Sequence, residues 1–441
     1  MIRKVILLLG VLHLILLTPV ITNAQVIHEV QNGDSLYKIS RQYNKNLDEI
    51  AKLNGLSKEN RLVVGQSLLL PGSTYIVQPG DSLWKIANRH AMKKEAVMAH
   101  NQLKNEVIIP GQKLQIPRSA KTTIWTGKYF TPKDKKYNEW ILNVNKNVLS
   151  SVFMFDYHPD YNGNLSQLQL NHANTIAWNK NIPPYATISN LSAGGFDPKL
   201  THHLISNAEI RKRFIKNIHA LLHNNDYKGV IIDFERVYPK DRSDFGEFMK
   251  ELAENLHPSG MKVMIAVPPM QGDQSPSYSA GYDYKTIGKY VDTMFLMTYD
   301  WHWPGGPSGP IAPINKVRET LNYAVSVVPR SKLMLGIPMY AYDWTISVKK
   351  KKGTAYAQQR AVNLYISHQS QVHYDEKAAS PWFRYVDEQG MQHEVWFEDP
   401  RSLLAKFRLV KEYRLAGLGC WHLGLVMPQT EELLTEEFNL R

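Results

Sequence analysis

One cysteine in 441 residues, Cys420, leaves no internal disulfide to form. Stability must come from packed cores instead. Cys420 lies in the apolar run LAGLGCW, which predicts a buried, inert thiol and not a nucleophile. An H-E-x-x-H motif and zinc-type Cys/His spacing are also missing. Acidic residues are in deficit: 40 Asp and Glu stand against 52 Lys and Arg, for a formal net charge of +12. That excess suits a polyanionic partner, whether nucleic acid, a membrane surface or an anionic wall polymer, without choosing among them. The hydrophobic fraction of 43% and charged fraction of 21% are ordinary for a globular chain. The length allows two or three domains.

The N-terminus narrows the choice. MIRKVILLLGVLHLILLTPVITNA starts basic at Arg3 and Lys4, continues apolar from Val5, and ends in Thr22-Asn23-Ala24. This layout predicts a secretory signal peptide over 1–24, with an uncleaved anchor as the alternative. Without Arg3 and Lys4 the mature chain carries about ten net positive charges.

A repeat follows. GDSLYKIS (Gly33–Ser40) and GDSLWKIA (Gly80–Ala87) each come after a short β-like segment, HEV at 28–30 and YIV at 75–77. Each leads through helical stretches to an Asn, Asn54 or Asn101, and closes on a Pro-terminated strand, 63–71 or 108–117. The pattern predicts two βααβ modules, 26–71 and 74–118. Asp34 and Ser35, like Asp81 and Ser82, can cap a helix whose apolar face starts at Leu36 or Leu83. A short polar linker is expected at 117–123.

From Thr122 to Arg441 the texture changes. Eight apolar runs alternate with amphipathic stretches: 123–130, 149–157, 183–191, 229–235, 261–269, 292–301, 332–344 and 415–424. This alternation predicts an α/β chain forming a (β/α)8 TIM barrel, longer than the usual ~250 residues. The extra length falls at 346–414, expected as an α+β insertion of hairpins between strands seven and eight, walling a cleft.

GVIIDFE (Gly229–Glu235) puts two acids at the end of the fourth expected strand. Alternation places Ile231, Asp233 and Glu235 on the inward face and Ile232 and Phe234 on the outward one. Two carboxylates in one barrel mouth can hold unequal pKa values, leaving a proton donor near neutral pH. The bland alternative is a solvated loop, or a pairing with Arg236. The sixth run adds Met297, Tyr299 and Asp300, and the eighth adds Trp421. Taken singly, Met297 reads as core, and Tyr299 and Trp421 as packing. Together, an acid pair, a hydroxyl and an indole at one mouth make a sugar site.

Two resemblances follow from these motifs. The GDSL repeats resemble LysM modules, which implies that they bind an N-acetylglucosamine polymer through loops at Asn32–Leu36 with Leu62–Gly65, and Pro79–Leu83 with Ile108–Gly111. Asp34, Ser35, Leu36, Asp81, Ser82 and Leu83 are the candidate residues. The C-terminal part resembles glycoside hydrolase family 18, on DFE at 233–235, M-x-Y-D at 297–300, GIPMYAYDW at 336–344 and W-x-L-G at 421–424. With two leading modules the chain is similar to the spore-cortex-lytic and sporulation-specific glycosylases. The resemblance implies a secreted, retaining N-acetylglucosaminidase-type hydrolase of peptidoglycan, working by substrate-assisted catalysis at the cell wall or spore envelope. Glu235 is implied as acid and base, Asp233 and Tyr299 as supports of the acetamido group, and Trp421, Met297, Asp300 and Tyr340 as substrate contacts. No metal or other cofactor is implied, and no nucleic acid and no stable membrane insertion after leader cleavage are expected. An inactive wall-binding lectin and a chitinase stay open as alternatives. The family signature D-G-x-D-x-D-x-E reads K-G-V-I-I-D-F-E here, so Lys228 and Ile231 replace two acids and Asp233 loses a partner. Ala341 stands where the family often has glycine.

Overall fold

In each repeat the Gly-Asp-Ser triplet opens a helix. Ser35 accepts a hydrogen bond from the Lys38 amide (3.2 Å), and Ser82 accepts one from Lys85 (3.2 Å). Asp34 and Asp81 close the preceding turns by accepting from the amides of Gln31 and Gln78. The computed structural model describes residues 25–273, 278–346, 352–425 and 427–441. The expected leader, 1–24, lies outside the described residues. No helix among the described residues is long and apolar enough to cross a membrane.

Both modules are βααβ units. The first runs Gln25–Glu29, Leu36–Tyr43, Leu47–Leu53 and Ser67–Pro71. The second runs Thr74–Ile76, Leu83–Arg89, Lys94–His100 and Lys113–Gln115. Asn54 explains its recurrence: its side chain accepts from the Leu69 amide (2.7 Å) and donates to the Leu69 carbonyl (2.8 Å). Asn101 does the same to Gln115, at 2.7 and 2.8 Å. Each asparagine ties the end of the second helix to the closing strand.

The described residues then form eight parallel strands: Thr122–Phe130, Ser151–Tyr157, Pro184–Ser189, Gly229–Asp233, Lys262–Val267, Thr293–Leu296, Leu333–Pro338 and Gly417–Trp421. The eighth pairs with the first, closing the TIM barrel. Inward side chains, among them Tyr129, Phe153, Ile231, Met264, Phe295 and Met334, fill its interior. Outward ones such as Val230, Ile232 and Phe234 pack under the helices. Cys420 is among the outward set, fully buried, with burial pushing its thiol up to about 12.

One expectation needs correction. The run 332–344 is two strands: the barrel strand ends at Pro338, and Tyr340–Thr345 starts the inserted sheet. The insertion therefore begins near 340, six residues before the expected 346. It is a five-stranded antiparallel sheet, in the order Lys352–Ala357, Tyr340–Thr345, Gln392–Trp396, Ser380–Val386, Val372–Asp375. It carries the helix Gln358–Ser367, while Pro400–Tyr413 is the barrel helix before strand eight and not part of it. Phe438–Leu440 adds a strand parallel to Thr122–Ile124 that the sequence reading did not contain. The expected linker has no helix or strand at 117–121, runs into strand one at Thr122, and is tied down. Ser119 donates to Glu437 (2.9 Å) and receives from Lys411 (2.5 Å), and Lys121 reaches the Thr435 carbonyl (2.6 Å).

The modules are docked on the barrel. One apolar cluster joins Leu68, Leu70, Tyr75 and Val97 of the modules to Val362, Tyr365, Val372 and Phe383 of the insertion. Val372 donates to the Val64 carbonyl (3.0 Å), and a side chain on Gly65 would strike the Val372 carbonyl. Arg401 is buried at the junction. It forks onto Asp399 (2.7 and 2.9 Å) and reaches Glu29 (3.0 Å) and the Gly65 carbonyl (3.2 Å). We expect Arg401→Ala to lower unfolding free energy by ~3 kcal/mol, because it strands the buried Asp399 carboxylate. Chemical denaturation, with limited proteolysis at the junction, checks this. An unchanged midpoint would refute the bridging role of Arg401.

Candidate active site

The strand ladder stops at Asp233, so Glu235 sits just beyond the fourth strand. Asn190, at the end of the third strand, extends the ladder artificially. Its amide donates to the Glu235 carbonyl (2.9 Å) and accepts from the Glu235 N–H (2.9 Å). Phe234 locks the other face by stacking on Phe214, Phe245 and Phe248 at 6.2–6.4 Å between ring centres. Tyr282 donates to the Phe234 carbonyl (2.6 Å). The backbone carrying both acids is thus held from three sides.

All seven barrel residues singled out above line one cleft of about 440 Å3: Glu235, Asp233, Tyr299, Trp421, Met297, Asp300 and Tyr340. Tyr299 fits because strand seven has Gly336 opposite. A Cβ there would lie 2.4 Å from the Leu296 carbonyl and 3.0 Å from the Tyr299 ring. Asp300 accepts from the hydroxyls of Tyr340 (2.5 Å) and Tyr342 (2.8 Å). Trp421 is half-buried, edge-on to Phe155 (4.7 Å) and tilted against Tyr129 (5.2 Å). The insertion supplies the wall expected of it through Tyr340, Tyr342, Ala355 and Tyr356.

The sequence reading missed Tyr129, Phe155, Phe196, Tyr342, Tyr356 and His422, which line the same cleft. Tyr129 had a signal, since alternation from Trp125 through Gly127 points it inward. Phe196 had none, because it sits in a small hairpin, Leu191–Ser192 with Gly195–Phe196.

The electrostatics raise both carboxyls above their ordinary range, and the negative charge on Asp233 helps hold the proton on Glu235. Asp233 is 4% exposed, and its Oδ1 is buried without a partner. Burial, then the nearby Asp156 carboxylate, holds its pKa well above the usual range. Glu235 is also raised, by burial first and then by Asp233 and Asp300, against a small opposing pull from Arg236. A raised folded-state pKa means ionisation is penalised only in the fold. That cost is absent below the unfolded pKa, about 4.5, and grows as pH rises toward the folded value. Glu235→Gln should therefore melt like wild type near pH 4 and increasingly above it toward pH 8. Thermal melts across that range check the sign; a gain that shrinks with pH would refute the raised pKa.

In the modules, Asp34, Ser35, Asp81 and Ser82 spend their side chains on turns and caps, and Leu36 and Leu83 are buried. Beside them, Tyr37 and Trp84 stand exposed.

Comparison with known proteins agrees with this geometry. Residues 150–425 match the profile of Glycosyl hydrolases family 18, and residues 28–71 and 75–117 each match the LysM domain. The chain is 37% identical over 419 residues to a Bacillus subtilis protein described as a sporulation-specific glycosylase, YdhD, covering 94% of this chain and 99% of that one. It is 35% identical over 421 residues to the cortical fragment-lytic enzyme of Bacillus anthracis, covering 93% and 98%. The crystal structure of the Bacillus cereus spore cortex-lytic enzyme SleL superposes with a TM-score of 0.86 at 33% identity, covering 95% and 99%.

Proposed function

The chain belongs to glycosyl hydrolase family 18 and is a glycoside hydrolase, and from that premise we propose that it cleaves N-acetylglucosamine-containing peptidoglycan of the spore cortex. The observation that carries the reading is Glu235, an acid kept protonated by its surroundings, beside Asp233 and over an aromatic floor. End-to-end similarity to a cortical fragment-lytic enzyme supports cortex as the polymer. The LysM modules raise its local concentration, and the net positive charge favours an anionic wall. The leader-like composition of residues 1–24 supports secretion.

The mechanism is a retaining, substrate-assisted one. Glu235 gives its proton to the glycosidic oxygen, and the carbon–oxygen bond breaks with the leaving sugar departing as an alcohol. The carbonyl oxygen of the 2-acetamido group attacks the anomeric carbon from the opposite face, forming an oxazolinium. Asp233 accepts from the acetamido N–H and offsets its growing positive charge. Tyr299 donates to the acetamido oxygen and aligns it. Trp421 stacks under the pyranose ring. Water then attacks the anomeric carbon, Glu235 takes its proton, and the ring opens back to the acetamide. Mass spectrometry of fragments released from purified cortex tests the reading. Products with N-acetylglucosamine at the new reducing end, released with retained anomeric configuration, are expected. Tight cortex binding with no fragments at any pH would overturn it in favour of a lectin.

A further inference from the structure

Asp233 lacks an acidic neighbour on its own strand, because Ile231 below it is apolar and wholly buried. An acid reaches it from another strand. In the second strand the register against strand three slips between Met154 and Tyr157, so one extra residue is accommodated. Phe155 and Tyr157 hold opposite faces, Phe155 among the inward aromatics and Tyr157 among the outward core. Asp156 is the residue the bulge releases from alternation, and bulges of this kind re-aim side chains beside active sites. Its Oδ2 accepts from the Ser189 hydroxyl at 2.5 Å. Ser189 is the direct ladder partner of Asp233. His158 closes the group, with its Nε2 3.5 Å from Asp156 Oδ1 and its Nδ1 3.4 Å from Ser189 Oγ.

We propose that Asp156, braced by Ser189 and His158, is a positioning residue that sets the protonation of Asp233 in place of an acid at position 231. It touches no reacting atom. Its charge acts across one strand, and the Asp233 carboxyl responds because its own Oδ1 has no hydrogen-bond donor. Burial and the Asp156 charge are the two influences that raise Asp233. The other titratable groups around Asp233 are Glu235 beyond its own strand, Tyr129 on strand one, Tyr299 after strand six and Tyr282. None of the three tyrosines ionises near neutral pH, because burial pushes each hydroxyl well up. Asp156 is thus the neighbouring carboxyl, besides Glu235, through which Asp233 can be tuned.

The inference rests on the glycosidase reading only for its consequence in catalysis, so its test has a readout without substrate. The carboxyl carbon of Asp233 is followed by 13C NMR across a pH titration of the full chain, assigned by its loss in Asp233→Asn. In Asp156→Asn the Asp233 midpoint should fall by about one pH unit, and in Asp156→Glu it should stay near wild type. Ser189→Ala, which strips the brace without removing the acid, should give a smaller fall. A midpoint unmoved in both Asp156→Asn and Ser189→Ala overturns the proposal. So does an Asp156→Glu midpoint that falls as far as that of Asp156→Asn. If no cortex fragments appear from wild type, the glycosidase reading fails while the titration result stands alone.

Discussion

Glu235→Gln should release cortex fragments about 10^3-fold more slowly than wild type, while binding the polymer equally well. The substitution keeps shape and replaces an acidic, transferable proton with a non-acidic amide. That factor corresponds to about 4 kcal/mol of barrier, which is what protonating a poor sugar leaving group supplies. The fold is not at risk, because the Asn190 clamp grips the Glu235 backbone and not its carboxyl. Binding is expected to persist because the module loops at Tyr37 and Trp84 are separate from the barrel cleft. A reducing-end assay on purified cortex, run beside a sedimentation assay on the same material, reads both quantities. Equal product release from variant and wild type would end the assignment of Glu235 as the proton donor.

What the sequence revealed and what it hid divide along the range of the interactions. The inward face of GVIIDFE was legible because a two-residue period is local, and no distant residue has to be known to read it. The capping roles in both GDSL repeats were legible for the same reason. The boundary of the insertion was not. KLMLGIPMYAYDW is apolar throughout, and the chain leaves the barrel at Met339, whose amide bonds to the Trp421 carbonyl (2.9 Å) some eighty residues on. Docking of the modules was equally hidden. Arg401 and Glu29 read as two surface charges in sequence, yet they form a junction only when the insertion brings strand Val372–Asp375 against Gly65. Phe438–Leu440 is too short to carry a period at all. Asp156 is the instructive case within the site. An acid in FMFDY reads as one more outward residue of a strand, and it is the slip against strand three that goes with its contact to Ser189, the ladder partner of Asp233.

Asp233→Asn should cost about 10^2-fold in turnover, by a route separable from that of Glu235. Asp233 has no part in leaving-group departure. Its task is to balance charge on the acetamido nitrogen as the oxygen closes on the anomeric carbon. An amide at 233 can still hold a hydrogen bond but cannot offset that charge. A substrate with an N-acetylglucosamine unit linked to nitrophenol separates the two roles, since nitrophenolate leaves without a proton. Glu235→Gln should recover most of its rate of nitrophenolate release in the first turnover, because the proton donation it lacks is bypassed, although the later attack of water still lacks its base. Asp233→Asn should stay slow, because ring closure by the acetamide is still required. Burial supports the contrast: Asp233 lies deeper than Glu235, on the barrel side of the cleft, where solvent screens a developing charge least. Recovery of Asp233→Asn to the same extent as Glu235→Gln on the activated substrate would remove Asp233 from the cyclisation step and return it to a structural role.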